Sequence, residues 1–154
     1  MVKQLREDIA QLLINGHRPT IIFSRVEQLF KAQSILSAYD LLDHFCEFII
    51  INLSYIRKHR DCPNDINEAV SSLIFAAARC ADLPELQALR KLFGERYGND
   101  FAVAAVELFP GNHVNPQISE KLSVKSVSDG AKLKLLQEIA RDWNLQQVHL
   151  KKHL

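Results

Sequence analysis

Glycine and proline are scarce, five of each in 154 residues. Few turns can then be made, and a chain of few, long helices fits that scarcity. Thr20–Cys62 contains neither residue. A helix of forty residues would span ~60 Å, about twice the diameter of a small domain. One very long helix is therefore expected, and an ordinary compact globule is not.

Cysteine is also sparse, and its three copies make no C-x-x-C pair. An odd number of scattered thiols argues for free cysteines in a reducing compartment rather than a disulfide framework. The formal net charge is only +1, so charge alone makes no polyanion binder. The opening MVKQLREDIA lacks the apolar core of a signal peptide. The longest strongly apolar cluster, Phe45–Ile51, is too short to span a bilayer. Cytosol or a membrane surface is the expected location. Sustained period-two alternation and fixed-period repeats are missing as well, which argues against strands and solenoids.

What remains is helical periodicity. Val2, Leu5, Ile9 and Leu12 form a seam that ends at Asn15-Gly16, with glycine suited to a left-handed terminal position. The long helix opens at Pro19 and is expected to continue unbroken to about Lys58, before the Cys62-Pro63 turn. Its first half carries Ile22, Val26, Leu29 and Leu36. Its second half carries the seam Tyr39, Leu42, Cys46, Ile49, Leu53, Ile56, with Ala38, Leu41, Phe45 and Phe48 beside it. The second half needs several neighbours, and the last helix is expected to be its main cover. A helix over about 65–80 should be capped by Asn64 or Asp65, with Glu68 near the third position. Further helical stretches follow at about 84–97, 100–108 and 117–122. The last helix opens at Ser128 and runs to about Trp143. Residues 146–154 read as a polar, basic tail after a core of 1–145.

Reactive constellations are hard to find. No histidine pair has H-E-x-x-H spacing, and His149 and His153 in HLKKHL read as solvated side chains. The scattered glycines form no phosphate loop. His44 and Cys46, two apart on a helix, point to different sides, so Cys46 reads as a core thiol. Cys80 reads likewise, which leaves Cys62 to label fastest. Asp40 and Asp43 read as a solvated face or a partner contact rather than an acid–base pair. Arg57-Lys58-His59-Arg60 suits the end of a helix dipole. These residues predict no catalytic site, no cofactor, no metal, no nucleic acid and no small-molecule substrate.

The ordered pieces have a likeness. Arg25-Val26-Glu27, Ala38-Tyr39-Asp40-Leu41-Leu42 and Phe45-Cys46-Glu47 resemble the increased-sodium-tolerance family of ESCRT-III-related proteins. Glu68–Ala77 with Arg79-Cys80 and Pro84-Glu85-Leu86 is similar to that family's most distinctive segment. Phe93, Tyr97-Gly98, Asn115, Leu122-Ser123-Val124 and Leu136-x-Glu138-Ile139-Ala140 continue the match in order. The resemblance covers about Lys3 to Leu145. It departs at Ala78, where a proline is expected, and in a short first helix. The chain thus reads as an excised core or a shortened paralogue, without most of the first helix or the MIT-binding tail.

The resemblance implies an all-α, ESCRT-III-like core: a very long helix in an antiparallel hairpin, with shorter helices near one end. It implies an assembly factor that binds the C-terminal helix of a charged-multivesicular-body-type ESCRT-III subunit. Such a factor regulates endosomal membrane remodelling, multivesicular-body sorting and filament disassembly. The link to the disassembling AAA ATPase would be indirect, the membrane contact weak and peripheral, and the location cytoplasmic, at endosomes. The expected partner-binding residues are Asp43 and Glu47 on the long helix and Leu136, Ile139 and Trp143 on the last, with the partner helix beside both. Leu136 and Ile139 suit core closure equally. The alternative is a soluble helical adaptor that binds amphipathic peptide helices without joining a filament.

Overall fold

The computed structural model describes residues 1–123 and 126–144. The tail expected over 146–154, with His149 and His153, lies outside the described residues. The elements are α1 Val2–Ile14, α2 Pro19–Ile51, α3 Leu53–Lys58, α4 Asn64–Arg79, α5 Pro84–Tyr97, α6 Asn99–Glu107, α7 Pro116–Leu122 and α8 Asp129–Asp142. No strand occurs among the described residues. Two compact units form: Met1–Leu36 with the described part of Val124–Leu154, and Ser37–Ser123. The long α2 supplies residues to both.

In the first unit, α1 ends as its sequence requires. Gly16 follows Asn15 at φ +67°, a conformation open to glycine without a Cβ penalty. The short turn at 15–18 leads directly into α2, and the two helices form a hairpin with a common core. Ile9 of α1 packs with Val26 and Leu29 of α2 and with Leu136 and Ile139 of α8. Ser128 caps α8, its Oγ accepting from Ala131 N–H at 3.2 Å. Arg6 and Asp142 pair at 2.7 Å between α1 and α8, an exposed contact worth ~1 kcal/mol or less. Leu36, assigned to the buried seam by periodicity, is exposed.

In the second unit, α4 is the centre. Ala69 through Ala77 are all buried, and α5, α6 and α7 pack against this helix. A helix apolar on nearly every side is stable only when enclosed. The expected cap takes another form: α4 starts behind Pro63, which makes no side-chain cap bond, and Asp65 Oδ1 accepts from Ile66 N–H at 2.9 Å within the first turn. Glu68 instead accepts from Asn115 Nδ2 at 2.9 Å. Asn115 also caps α7, accepting from the Gln117 and Ile118 amides. Its own N–H donates to the buried Ser72 Oγ at 2.9 Å. One asparagine thus ties the start of α7 to α4.

Two expectations about the long helix fail. It is not continuous to Lys58: α2 stops at Ile51, and Asn52 (φ −98°, ψ 11°) forms a turn before α3. The Asn52 side chain donates to the Phe48 carbonyl at 2.9 Å, as does its own backbone N–H at 3.1 Å. An asparagine amide that competes for a carbonyl within its own helix loosens the regular ladder. Nor is the last helix the main cover of the second-half seam. Leu42, Ile49 and Ile56 share their core with α4 and α5, whereas α8 packs within the first unit. Leu53 of that seam is left exposed.

Candidate partner-binding groove

The seam Tyr39, Leu42, Cys46, Ile49, Leu53, Ile56 advances by three or four residues, so it stays on one side of the helical path. It faces α5. Two adjacent depressions mark the line between them. The first, of about 320 Å³, is lined by Tyr39, Leu42 and Cys46 against Leu83 and Leu86, with Asp43 and Glu85 as its charged lining. The second, of about 340 Å³, is lined by Ile49, Leu53 and Ile56 against Leu89, Leu92 and Phe93, with Arg57 and Arg96. Residues 39 to 56 correspond to ~25 Å of helix. Each depression has an apolar floor and a charged edge, the shape that takes the apolar face of an amphipathic helix.

The groove keeps free apolar surface: of its lining, Leu92 is 59% and Leu53 37% exposed. A larger depression of about 560 Å³ lies between α5 and α6. Its lining mixes Arg90, Lys91, Glu95 and Glu107 around Gly94, Ala102 and Val106, so it has no continuous apolar floor.

Arg96 organises the basic end. Its guanidinium donates to the carbonyls of Ile56, of Arg57 at 3.3 Å and of His59 at 2.7 Å. These are the last carbonyls of α3, which lack partners within the helix. Tyr55 stacks on His59 and donates to Asp61 Oδ2 at 2.6 Å. Next to Arg96, the Tyr97 hydroxyl is buried with no oxygen or nitrogen partner among the described residues, and the Cys62 sulfur is its weak neighbour. Burial, then the charge that Cys62 gains in the alkaline range and its hydrogen bond, push the Tyr97 pKa up to about 12.

The residues singled out in the sequence fall into both units. Asp43 and Glu47 are exposed on α2 in the second unit, and Asp43 lines the first depression. Leu136 and Ile139 are 2% and 0% exposed in the core of the first unit, the place their core reading gives them. Trp143 closes α8 and is 41% exposed. The α5 residues Leu89 and Leu92 were missed; their signal was their three- and six-residue spacing from Leu86, on a helix that also carries Phe93. The thiols also differ from expectation. Cys46 is half-buried, as Cys62 is, and only Cys80 is buried. Burial raises the pKa of all three, with Asp43 adding to the effect at Cys46.

Comparison with known proteins adds a second line of evidence. Residues 1–146 match the sequence pattern of the Ist1 family, described as "Regulator of Vps4 activity in the MVB pathway". An IST1-like protein of Dictyostelium discoideum is 23% identical over 145 residues, 94% of this chain and 38% of the relative. The vacuolar protein sorting-associated protein IST1 of Saccharomyces cerevisiae is 25% identical over 168 aligned residues, 100% of this chain and 53% of the relative. The chain therefore spans about half the length of these relatives or less. The crystal structure of the S. cerevisiae Ist1 N-terminal domain in complex with the Did2 MIM motif superposes with a TM-score of 0.81 at 24% identity, covering 94% of this chain and 80% of that one. That likeness establishes the fold, an all-helical, ESCRT-III-like core.

Proposed function

The chain belongs to the Ist1 family, and from that premise we propose that it is an ESCRT-III assembly factor whose α2–α5 groove receives a partner helix. The partner is the C-terminal amphipathic helix of a charged-multivesicular-body-type subunit. The observation that carries the reading is the apolar groove: Tyr39, Cys46, Leu53, Leu89 and Leu92 keep surface in its lining, and leucines of a helical ligand at three- and four-residue spacing can pack on them. Binding there would couple this protein to endosomal membrane remodelling and to filament disassembly by the ATPase that its family regulates. The family is regulatory rather than enzymatic, and the proposed work is binding with no chemical step. No helix among the described residues is long and apolar enough to cross a membrane, so endosomal association would be peripheral and borrowed from the partner. Trp143 on α8, in the first unit, is proposed as a separate partner contact, since it keeps surface that Leu136 and Ile139 do not.

The test is a titration with a fluorescent peptide of the partner's C-terminal helix. Leu92→Asp places a charge on exposed groove surface and should leave folding intact. It should weaken binding at least about tenfold. Val103→Asp, an equally simple change in the α5–α6 depression, should leave affinity unchanged. Loss with Val103→Asp and none with Leu92→Asp would move the site to α6.

A further inference from the structure

The groove has an electrical direction. Asp43 and Glu85 line its Tyr39 end, and Arg57 and Arg96 line its Ile56 end. Along the chain the same polarity repeats: Asp40, Asp43 and Glu47 are exposed on α2, whereas Arg57, Lys58 and Arg60 are exposed at and beyond the end of α3. Arg96 is held there through Nη2, which donates to the Ile56, Arg57 and His59 carbonyls, while its buried Nε has no partner among the described residues. A ligand helix has a polarity of its own. Acidic residues stabilise its first turn and basic residues its last, against the backbone dipole. Full side-chain charges outweigh the half-charges of the helix ends, so they decide which way such a helix lies.

We infer, resting on the proposed groove, that the partner helix binds antiparallel to the α2–α3 path. Its acidic N-terminal turn meets Arg57 and Arg96, and its basic C-terminal turn meets Asp43 and Glu85. The groove thereby selects helices of about 17 residues with acid at the start and base at the end. It disfavours the same helix reversed, because like charges then face each other at both ends.

The probe is a synthetic amphipathic helix of about 17 residues, with glutamates in its first turn, lysines in its last and leucines at three- and four-residue spacing. It carries a nitroxide at either terminus and is added to the isotope-labelled full chain. The N-terminal label should broaden amides near Arg57 and Leu92, and the C-terminal label those near Asp43 and Leu86. The Asp43→Lys, Glu85→Lys double variant should bind about tenfold more weakly, the worth of two rim pairs. Exchanging the peptide's C-terminal lysines for glutamate should restore that loss. The opposite broadening pattern, or undiminished binding by the double variant, overturns the inference and leaves the groove standing. Broadening confined to residues outside the groove overturns the groove reading itself, and the direction with it.

Discussion

Trp143 is the exposed end of a helix face whose other large members are buried. Because two-fifths of it meets solvent, Trp143→Ala should cost folding ~1 kcal/mol or less, well below the ~3–5 kcal/mol of a core aromatic. If it anchors the partner, the same variant should lose ~2 kcal/mol of binding, about thirtyfold. Unchanged affinity in a folded variant, read by calorimetry, would take Trp143 out of the interface. Tyr97 makes a separate residue-scale prediction. Its folded pKa of about 12 lies above the ordinary 10.0, so the folded state holds the phenol proton more tightly. That contribution is complete below the unfolded pKa and is lost as pH rises from about 10 to about 12. Tyr97→Phe should therefore be close to neutral at pH 7, where it removes a hydroxyl whose neighbour is the weakly bonding Cys62 sulfur, and should flatten the alkaline limb of a denaturation-versus-pH curve. A strongly destabilised Tyr97→Phe at pH 7 would show that the hydroxyl makes a stronger bond than the Cys62 sulfur offers.

At the scale of elements, α3 is six residues long and cannot be stable on its own propensity. It persists because Ile56 enters the core of the second unit and Arg96 holds its last carbonyls. Arg96→Leu keeps aliphatic bulk and removes the donors. It should cost ~2 kcal/mol, the range for hydrogen bonds to a charged group. Amide exchange should quicken first in Leu53–Lys58 while α4 stays protected. Equal quickening in α4 would mean that Arg96 supports the whole unit instead of one helix end. The turn at Asn52 belongs to this scale as well. It lets the chain leave α2 while Ile56 still reaches the core that α2 helps to build.

For the whole molecule, the two readings differ in how much surface a partner must engage. The groove reading alone requires only a peptide-sized contact; the assembly-factor reading requires more. Mixed with a charged-multivesicular-body-type subunit, the chain should be incorporated into copolymers visible by electron microscopy. Leu92→Asp should abolish incorporation along with peptide binding. Tight peptide binding without copolymers would favour the adaptor that never joins a filament.

Helix content, the open seam and the ends of most helices were legible in the chain. Gly16, Pro84, Ser128 and the 3–4 spacing of Tyr39 to Ile56 act through contacts a few residues apart, so local sequence determined them. The break at Asn52 was only half legible. An asparagine in a helix offers an alternative bond, but whether it takes that bond depends on what Ile56 must reach. Tertiary structure alone decided the rest. Which helix covers Leu42 and Ile49 is a choice among elements distant in sequence, and α4 with α5 made it where α8 was expected. Glu68 looked like half of a capping box until Asn115, far along the chain, supplied a donor. Leu136 and Ile139 look identical in sequence whether they close a core or meet a partner. Periodicity states that a face is apolar; only the packing of other helices against it determines whether that face is filled from within or left open, as the groove beside α5 is.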